Sequence, residues 1–210
     1  MNNIYCYAWV EDEPSRLTAL KIFDFINAGR QTKGKILFRS GSPIVINGNG
    51  QLKKKTANIL RMALEAHLFS LIITDLDKIS CAPKLIKSWF NMSSEQLPDK
   101  IIFRVAVREI ESWVMADKTA FAKFMNISEA NFSEAPDTLD DPKQYLFSVI
   151  KKHGNKKWQR EMLPTDSSAV GPLYNCKISE FITNKWSVKK AAEKSPSLLR
   201  AINSINRRLS

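Results

Sequence analysis

The chain contains 210 residues, of which 44% are hydrophobic and 25% charged, as in a globular protein with a packed core. This length predicts one generous α/β domain, or such a domain with a helical appendage. No stretch approaches the ~20 consecutive apolar residues of a membrane span, and no basic region precedes the short apolar run at the N-terminus. We therefore expect neither a membrane span nor a signal peptide, and a cytoplasmic location.

The net charge of +11 is concentrated in the last third of the chain. Residues 1–142 contain 18 Lys and Arg against 17 Asp and Glu, whereas residues 143–210 contain 14 against 4. This asymmetry predicts a polyanionic partner, with nucleic acid, and DNA in particular, as the first choice. The alternative is a solvated basic helical surface that only aids solubility.

Strand-like and helix-like segments alternate over the first part of the chain. Apolar and β-branched runs predict strands at residues 4–10, 35–40, 69–74 and 100–107. Apolar residues at helical spacing predict helices at residues 17–28, 52–67, 82–90 and 108–125, and the Gly/Asn-rich stretch at 41–51 predicts a turn. This alternation indicates a Rossmann-like α/β fold, with about four mainly parallel strands flanked by helices on both faces.

Beyond Asp141 the strand pattern stops. Helices are predicted at residues 142–154, 168–186, 188–195 and 196–210. The changes of pattern and of charge predict a boundary near residue 140, between an α/β domain at residues 1–140 and a basic helical region at residues 141–210. The alternative is that the last helices pack directly on the sheet.

Acidic residues follow three of the predicted strands. The five carboxylates are those of Glu11, Asp75, Asp77, Glu109 and Glu111. Because ligands of a doubly wound sheet bind beyond the carboxyl ends of its strands, we expect these side chains to meet at one edge. Each acid taken singly has a simpler explanation, since Asp-x-Asp pairs are common in turns and acids favour the first turn of a helix.

Carboxylates at one edge repel one another and raise one another's pKa unless a cation compensates them. Their hard oxygens favour Mg²⁺ or Mn²⁺, and no Cys/His cluster indicates zinc. The sequence therefore predicts a Mg²⁺ (or Mn²⁺) site with Asp75 and Asp77 as first ligands, joined by Glu11 and Glu109. Glu109 and Glu111 point roughly 200° apart on one helix, so both face one ion only if the helix begins between them. Otherwise we expect Glu111 to bind a second ion or the backbone.

Two short strings resemble the Toprim domain, in which one strand ends in Glu and a later strand ends in Asp-x-Asp. They are WVEDEPS at residues 9–15 and IITDLDK at residues 72–78. This domain is shared by topoisomerases, primases, recombination mediators and the overcoming-lysogenization-defect nucleases. Many Toprim domains have Gly after the first Glu, whereas this chain has Asp12, which predicts an altered local backbone and a modified site.

Longer strings resemble a family of small bacterial Toprim-like proteins that are often encoded beside ATPases in mobile or defence regions. Among them are RVAVREIESWVMAD at residues 104–117, DPK at 141–143 and VGPLYN at 170–175. The resemblance implies Mg²⁺-dependent cleavage of nucleic-acid phosphodiesters in antiphage defence, with an ATPase partner. It implies catalytic roles for the five carboxylates, with Glu11 as metal ligand or general base.

Two other functions fit the same sequence. One is a non-catalytic Toprim-like subunit that binds nucleic acid or the ATPase. The other is a different Asp-x-Asp enzyme, such as a nucleotide-sugar transferase or an aspartyl phosphatase. The late position of the pair and the Lys78 that follows it disfavour the phosphatase.

Basic residues in two segments are predicted to contact the phosphates of a nucleic acid. The basic residues are Lys53, Lys54 and Lys55 in the first segment, and Lys151, Lys152, Lys156, Lys157 and Arg160 in the second. The second segment also contains Trp158. Trp158 is expected to stack on a base. The alternative for the second segment is an exposed helix end and turn.

Overall fold

A computed structural model describes residues 3–30 and 34–209, which form a parallel β-sheet with helices on both faces. The strands are β1 (Ile4–Val10), β2 (Ile36–Phe38), β3 (Ile44–Val45), β4 (Phe69–Asp75) and β5 (Ile101–Ala106). Their order is β2-β1-β4-β5, and β3 pairs with the second half of β1. All four pairings of these strands are parallel, which confirms the predicted Rossmann-like α/β class.

Ten α-helices accompany the strands in the described ranges. They are α1 (Glu13–Ala28), α2 (Asn49–Glu65), α3 (Ala82–Phe90), α4 (Ile110–Met115), α5 (Lys118–Met125), α6 (Pro142–His153), α7 (Lys157–Arg160), α8 (Tyr174–Asn184), α9 (Val188–Lys194) and α10 (Pro196–Arg208). In the part of the chain that the structure covers, none of these helices has both the length and the apolar character needed to cross a membrane.

Two predicted elements differ from the structure. The single helix predicted at residues 108–125 is wrong, because α4 and α5 are separated at Ala116 and Asp117. Asp117 leaves the helical conformation, and its buried carboxylate accepts a hydrogen bond of 2.8 Å from the backbone N–H of Ser187. The turn predicted at residues 41–51 contains the two-residue strand β3, which is too short to show a sequence period.

The register of the sheet brings the ends of its central strands to one edge. Val10 of β1 lies opposite Ile73 of β4, and Asp75 of β4 lies opposite Ala106 of β5. Because the three strands run in the same direction, the residues that follow them emerge at the same edge. The acids after β1, β4 and β5 therefore start from neighbouring positions.

The two faces of the sheet are covered unequally. α2 and α3 cover one face, where Leu52, Leu85 and Trp89 pack against Ile72 and Phe103. α1 and the helices from α4 onward contribute to a larger core on the other face. Chain beyond residue 140 is thus built into the main core of the sheet.

Hydrogen bonds also tie the last helices to the α4 region. The indole N–H of Trp113 donates to Ser197 Oγ at 2.7 Å, and the indole N–H of Trp186 donates to the carbonyl of Trp113 at 3.1 Å. The carboxylate of Asp137 accepts from Ser195 Oγ at 2.8 Å and from the Ser197 N–H at 2.7 Å. The helices therefore pack directly on the sheet, which was one of the two arrangements that the sequence left open.

We predict that a fragment of residues 1–140 does not fold cooperatively. Removal of the last helices exposes the apolar face of the sheet, and burial of that face stabilises the fold by about 25 cal/mol per Å². Near-ultraviolet circular dichroism and a thermal melt measure the effect, with the full chain as the control. A fragment with a sharp melting transition and fixed aromatic signals would contradict this prediction.

Candidate active site

The first contact in the cluster joins the acids that follow β1 and β4. Oε1 of Glu11 accepts a hydrogen bond from the hydroxyl of Thr74 and another, of 3.0 Å, from the backbone N–H of Asp75. Glu11 is half-buried, and Thr74 is buried at the end of β4. The structure thus brings Glu11 to the Asp75/Asp77 pair, as the sequence predicted.

The second contact joins β4 to the segment that follows β5. Oδ1 of Asp75 accepts a hydrogen bond of 2.8 Å from the backbone N–H of Ile110, the first residue of α4. The N-terminal N–H groups of a helix have no partner within the helix and attract negative charge. Asp75 therefore occupies a position that stabilises its ionised form, although it is crowded by other acids.

Helix α4 begins between Glu109 and Glu111, which satisfies the condition under which both can face one cation. Glu109 has extended backbone angles, and Glu111 lies in the first helical turn. Their Oε1 atoms lie 3.5 Å and 3.4 Å from the ammonium nitrogen of Lys143. Oε2 of Glu109 also accepts a hydrogen bond of 2.9 Å from the backbone N–H of Lys143. The two glutamates therefore converge on one point.

The buried tyrosine Tyr174 holds Glu111 in place. Its hydroxyl donates a hydrogen bond of 2.7 Å to Oε1 of Glu111. The other oxygen, Oε2, is buried and has no hydrogen-bond partner in the described part of the chain. An unpartnered carboxylate oxygen beside an acid cluster is an open position for a cation or a proton.

Asp77 lies at the open side of the cluster in a left-handed backbone conformation, with φ of 49°. Its backbone N–H donates to the Arg108 carbonyl at 2.8 Å, and the Arg108 guanidinium donates to the Asp77 carbonyl at 3.2 Å. The amide of Asn49 donates to Oδ2 of Asp77 at 3.2 Å and to Thr74 Oγ1 at 3.4 Å. Asp77 is thus anchored by its backbone while its carboxylate stays exposed.

Glu11, Asp75, Asp77 and Glu109 all have a pKa raised above its ordinary value, with burial as the largest cause. Burial raises the pKa of the Glu11 carboxyl, against the opposing effect of its hydrogen bonds from β4. Burial also raises the pKa of Asp75 well above its ordinary value, and the charges of Glu111 and Glu11 raise it further. The pKa of Glu109 is raised by burial and by Glu111. The negative charge in the cluster exceeds what its neighbours compensate.

Lys143 supplies the compensating charge that the cluster has. Burial alone lowers the pKa of its ammonium group, but Glu111, Glu109 and Asp75 outweigh burial and raise that pKa above its ordinary value. Lys143 is therefore charged at neutral pH. Among the described residues it is the one Lys or Arg within ion-pair distance of these carboxylates.

The donor chemistry of the cluster fits a hard divalent cation, but the side chains as placed do not surround one. The donors are carboxylates, one buried oxygen of Glu111 has no hydrogen-bond partner among the described residues, and the Lys143 ammonium pairs with two of the five acids. However, within residues 3–30 and 34–209 no group of three or more His, Cys, Asp or Glu side chains is arranged to hold a metal ion. The predicted Mg²⁺ site therefore stays a prediction.

A cavity of about 510 Å³ opens beside the acids. Its polar lining includes Asp77, Glu109 and the predicted phosphate contact Lys53, together with Arg108 and Asn49. Lys54 and Lys55 are exposed on the same helix, α2. This cavity is large enough for a nucleotide-sized group and presents both acids and bases to it.

The second predicted phosphate-binding segment lies away from the carboxylates. Lys143 is in the first turn of α6, and Lys151 and Lys152 are in its last turn, roughly 12 Å further along the helix axis. The exposed members of the segment are Lys151, Lys152, Lys156, Lys157 and Arg160. The ring of the half-buried Trp158 lies 6.0 Å from the ring of Phe124, and the ammonium of Lys177 lies 5.3 Å from its centre.

Several residues of the site were not predicted as such from the sequence, among them Thr74 and Arg108. Lys143 and Tyr174 lie in strings that carried the family resemblance, and Asn49 lies in a predicted turn. Their types alone indicated no role, because their partners are distant in the chain. Asp12 is the N-cap of α1 and accepts 2.9 Å from the Ser15 N–H, with an extended φ of −150° that does not require glycine.

Comparison of the chain with protein-family models, with curated proteins and with solved structures finds no match in any of the three. No relative's activity can therefore be transferred to these residues. The function of the cluster has to be inferred from its own chemistry.

We predict that Asp75→Asn stabilises the protein, and increasingly so as the pH rises. The pKa of Asp75 is raised in the folded state, so stability falls as the pH increases between its ordinary and raised values. The amide keeps the oxygen that accepts from Ile110 and removes the charge. Thermal melts at pH 4, 6 and 8 measure the effect; about 1 kcal/mol corresponds to roughly 2–4 °C.

Asp24→Asn is the matched control for that measurement, because Asp24 is exposed on α1. It is expected to leave the melting temperature unchanged at each pH. A loss of stability in Asp75→Asn at pH 8 would show that the carboxylate is fully compensated.

We predict that Lys143→Met destabilises the protein by about 1–3 kcal/mol, because it leaves two glutamates without a counter-charge. The effect should stay below that of a fully buried pair, since the Lys143 side chain is 28% exposed. Urea unfolding measures it. Lys157→Met is the control, because the Lys157 side chain is 92% exposed in its pair with Glu161 and is expected to contribute about 0–1 kcal/mol. Equal effects of the two substitutions would contradict the assignment.

Proposed function

We propose that this chain is a Toprim-like nuclease that cleaves nucleic-acid phosphodiesters with Mg²⁺ or Mn²⁺. The observation that carries the proposal is the hydrogen bond from the Asp75 N–H to Glu11, which joins acids 64 positions apart in the chain at one sheet edge. Hydrolysis of a phosphodiester needs an activated water and compensation of the charge on phosphate. A cluster of carboxylates with excess negative charge is suited to hold a cation for that purpose.

The residues that would hold the metal are Glu11, Asp75, Asp77 and Glu109. When bound, the metal supplies Lewis-acid stabilisation of the phosphate and lowers the pKa of water. Glu111 is placed to support this set, since Tyr174 fixes one of its oxygens and the other is unpartnered. Tyr174 thus joins the proposed site as a residue that positions Glu111 and not as a metal ligand.

The chain's own residues perform the remaining tasks. The alternative role of Glu11 is that of general base. Its pKa is raised toward neutral pH, and a general base works best when its pKa lies near the working pH. The Lys143 ammonium pairs with Glu109 and Glu111 and would hold both carboxylates in place. Arg108 and Lys53 line the adjacent cavity and are suited to hold the flanking phosphates.

Asp12, which stands where many Toprim domains have Gly, has extended backbone angles that do not require glycine. As the N-cap of α1 it fixes the start of the helix directly after Glu11. Its charge contributes to the raised pKa values of Glu11 and Asp75. We therefore propose that the site carries more negative charge than that of a Toprim domain with Gly at this position.

The substrate and partner are proposed from the charge of the chain and from the family resemblance. The basic last third suits a polyanion, and DNA is the proposed substrate. An ATPase partner and a role in bacterial antiphage defence, in the cytoplasm, follow from the resemblance. In this proposal the chain is the hydrolytic subunit and the ATPase is its partner.

A non-catalytic Toprim-like subunit is the second candidate. It is favoured by the position of Lys143, whose ammonium already lies between the two glutamates. If lysine is the permanent counter-ion, Mg²⁺ has no effect on stability. If Mg²⁺ binds, it raises the melting temperature, and more so in Lys143→Met than in the wild type.

We predict that the wild type cuts DNA in Mg²⁺ or Mn²⁺, and that Asp75→Asn and Glu11→Gln each reduce cutting by at least about 100-fold. Each substitution keeps the side-chain shape and removes the charge that a metal requires. The assay follows labelled single- and double-stranded DNA on denaturing gels, and a parallel series adds any ATPase that a neighbouring gene encodes.

Asp24→Asn serves as the control variant here as well, and circular dichroism checks that each variant is folded. Cutting that survives Asp75→Asn would come from a contaminant. A wild type that cuts nothing under any of these conditions, and does not respond to Mg²⁺ in a melt, supports the non-catalytic subunit.

A further inference from the structure

The open edge of the sheet at β5 starts beside the carboxylates and runs away from them. In the described ranges β5 pairs with β4 alone. The carbonyls of Lys100 and Ala106 accept from the backbone of β4 at 2.8 Å and 3.0 Å. Because backbone groups alternate in direction along a strand, those of Phe103 and Val105 point to the open side. This edge therefore offers unpaired backbone groups.

Two cavities border β5, one near each end of the strand. The first, of about 420 Å³, is lined by Leu76 and Val107, which are next to the acids, and by Arg104 and Arg200. The second, of about 390 Å³, is lined by Lys100, Arg207 and Arg208 at the other end of β5. Both cavities border β5, and we refer to the basic edge that they form along this strand as the path.

The path is strongly basic. The linings of the two cavities include five Lys and Arg residues and, among the described residues, a single acid, Asp99. Asp99 is fully exposed and pairs with Arg208 at 3.4 Å. The ammonium of Lys100 lies 3.8 Å from the centre of the Phe69 ring. In the part of the chain that the structure covers, Arg104, Arg200 and Arg207 have no carboxylate partner.

Arg104 is the most unusual of these residues. Its Nε is buried without a hydrogen-bond partner among the described residues. Burial, followed by the charges of Arg208 and Arg207, lowers the pKa of its guanidinium to about 10. A half-buried guanidinium whose Nε–H has no acceptor, beside two like charges, is costly in the free protein. An anion in the path would remove that cost.

The spacing of the charges suits the backbone of a nucleic acid. From Lys100 to Val107 the edge extends for roughly 25 Å, enough for several phosphates of one strand. Arg200 and Arg207 are two helical turns apart on α10 and lie roughly 10 Å from each other along its axis. One guanidinium group donates two parallel hydrogen bonds to two oxygens of a phosphate. This geometry makes arginines well suited to bind phosphate groups.

We propose that the open edge of β5, with Arg104, Arg200 and Arg207, binds the phosphodiester backbone of a nucleic-acid strand that leads away from the carboxylate cluster. The identity of the ligand rests on the proposed function, since the proposed nuclease acts on nucleic acid. The path is separate from the lysines near the end of α6 and from those on α2.

The test compares two charge-matched double variants. Arg200→Gln/Arg207→Gln removes two charges from the path, and Lys123→Gln/Lys185→Gln removes two exposed charges elsewhere. Binding of a labelled, about 20-nucleotide single-stranded DNA is followed by fluorescence anisotropy in EDTA, so that no cutting occurs. We expect the arginine variant to raise Kd about 10-fold at ~100 mM salt and to lower the salt slope by about 1, and the lysine variant to change Kd less than twofold.

Equal losses in the two variants would assign binding to overall charge and overturn the proposal, as would an arginine variant that binds like the wild type. Polyglutamate that competes as well as DNA at equal charge would assign the edge to an acidic peptide instead. Arg104→Met separates binding from structure: we expect weaker binding with an unchanged or higher melting temperature, whereas a purely structural arginine lowers the melting temperature.

The outcome is distinguishable from that of the cutting assay. A wild type that binds DNA through these arginines but cuts nothing removes the proposed nuclease and keeps the basic path. A wild type that cuts DNA while the arginine variant binds normally keeps the nuclease and removes the path.

Discussion

Repulsion among carboxylates at the carboxyl edge of one parallel sheet is the constraint on which the rest of this structure depends. Parallel strands deliver their following residues to the same edge, so the acids after β1, β4 and β5 are neighbours. Backbone N–H groups of Asp75 and Ile110 and the ammonium of Lys143 offset part of the charge. The offset is incomplete, because burial and, after it, the charges of neighbouring acids keep the pKa values of Glu11 and Asp75 raised. Stability is given up at this edge, as is common where binding or catalysis requires it.

The helices after residue 140 complete this site as well as the core. Lys143 comes from the start of α6, and Tyr174 from the start of α8. Both helices bury apolar residues against the same face of the sheet as α4, so the packing that stabilises the fold also positions the groups that compensate and orient Glu111. The basic last third therefore contributes to the acid cluster directly, and its remaining charge lies on surfaces such as the α10 side of β5.

Sequence reasoning reached the fold and the membership of the cluster because both depend on local patterns. Alternating apolar runs and helical spacing are readable in one chain, and acids directly after strands are placed by topology. The relation between Glu109 and Glu111 shows where this stops: spacing predicted opposed directions on a single helix, and the start of α4 between them decides that they converge. The same limit explains the single helix predicted at residues 108–125, which a contact between Asp117 and Ser187 divides.

The sequence by itself determined the parallel α/β class, the edge at which the acids emerge and the excess of positive charge in the last third. These follow from hydrophobic period and from composition, which need no knowledge of distant contacts. Only the tertiary structure decided that Lys143 pairs with two of the acids, that Tyr174 orients Glu111 and that the Nε of Arg104 is buried without a partner among the described residues. The physical reason is that ion pairing, burial and hydrogen bonding depend on which distant side chains pack together, and that information is absent from any local stretch of the chain.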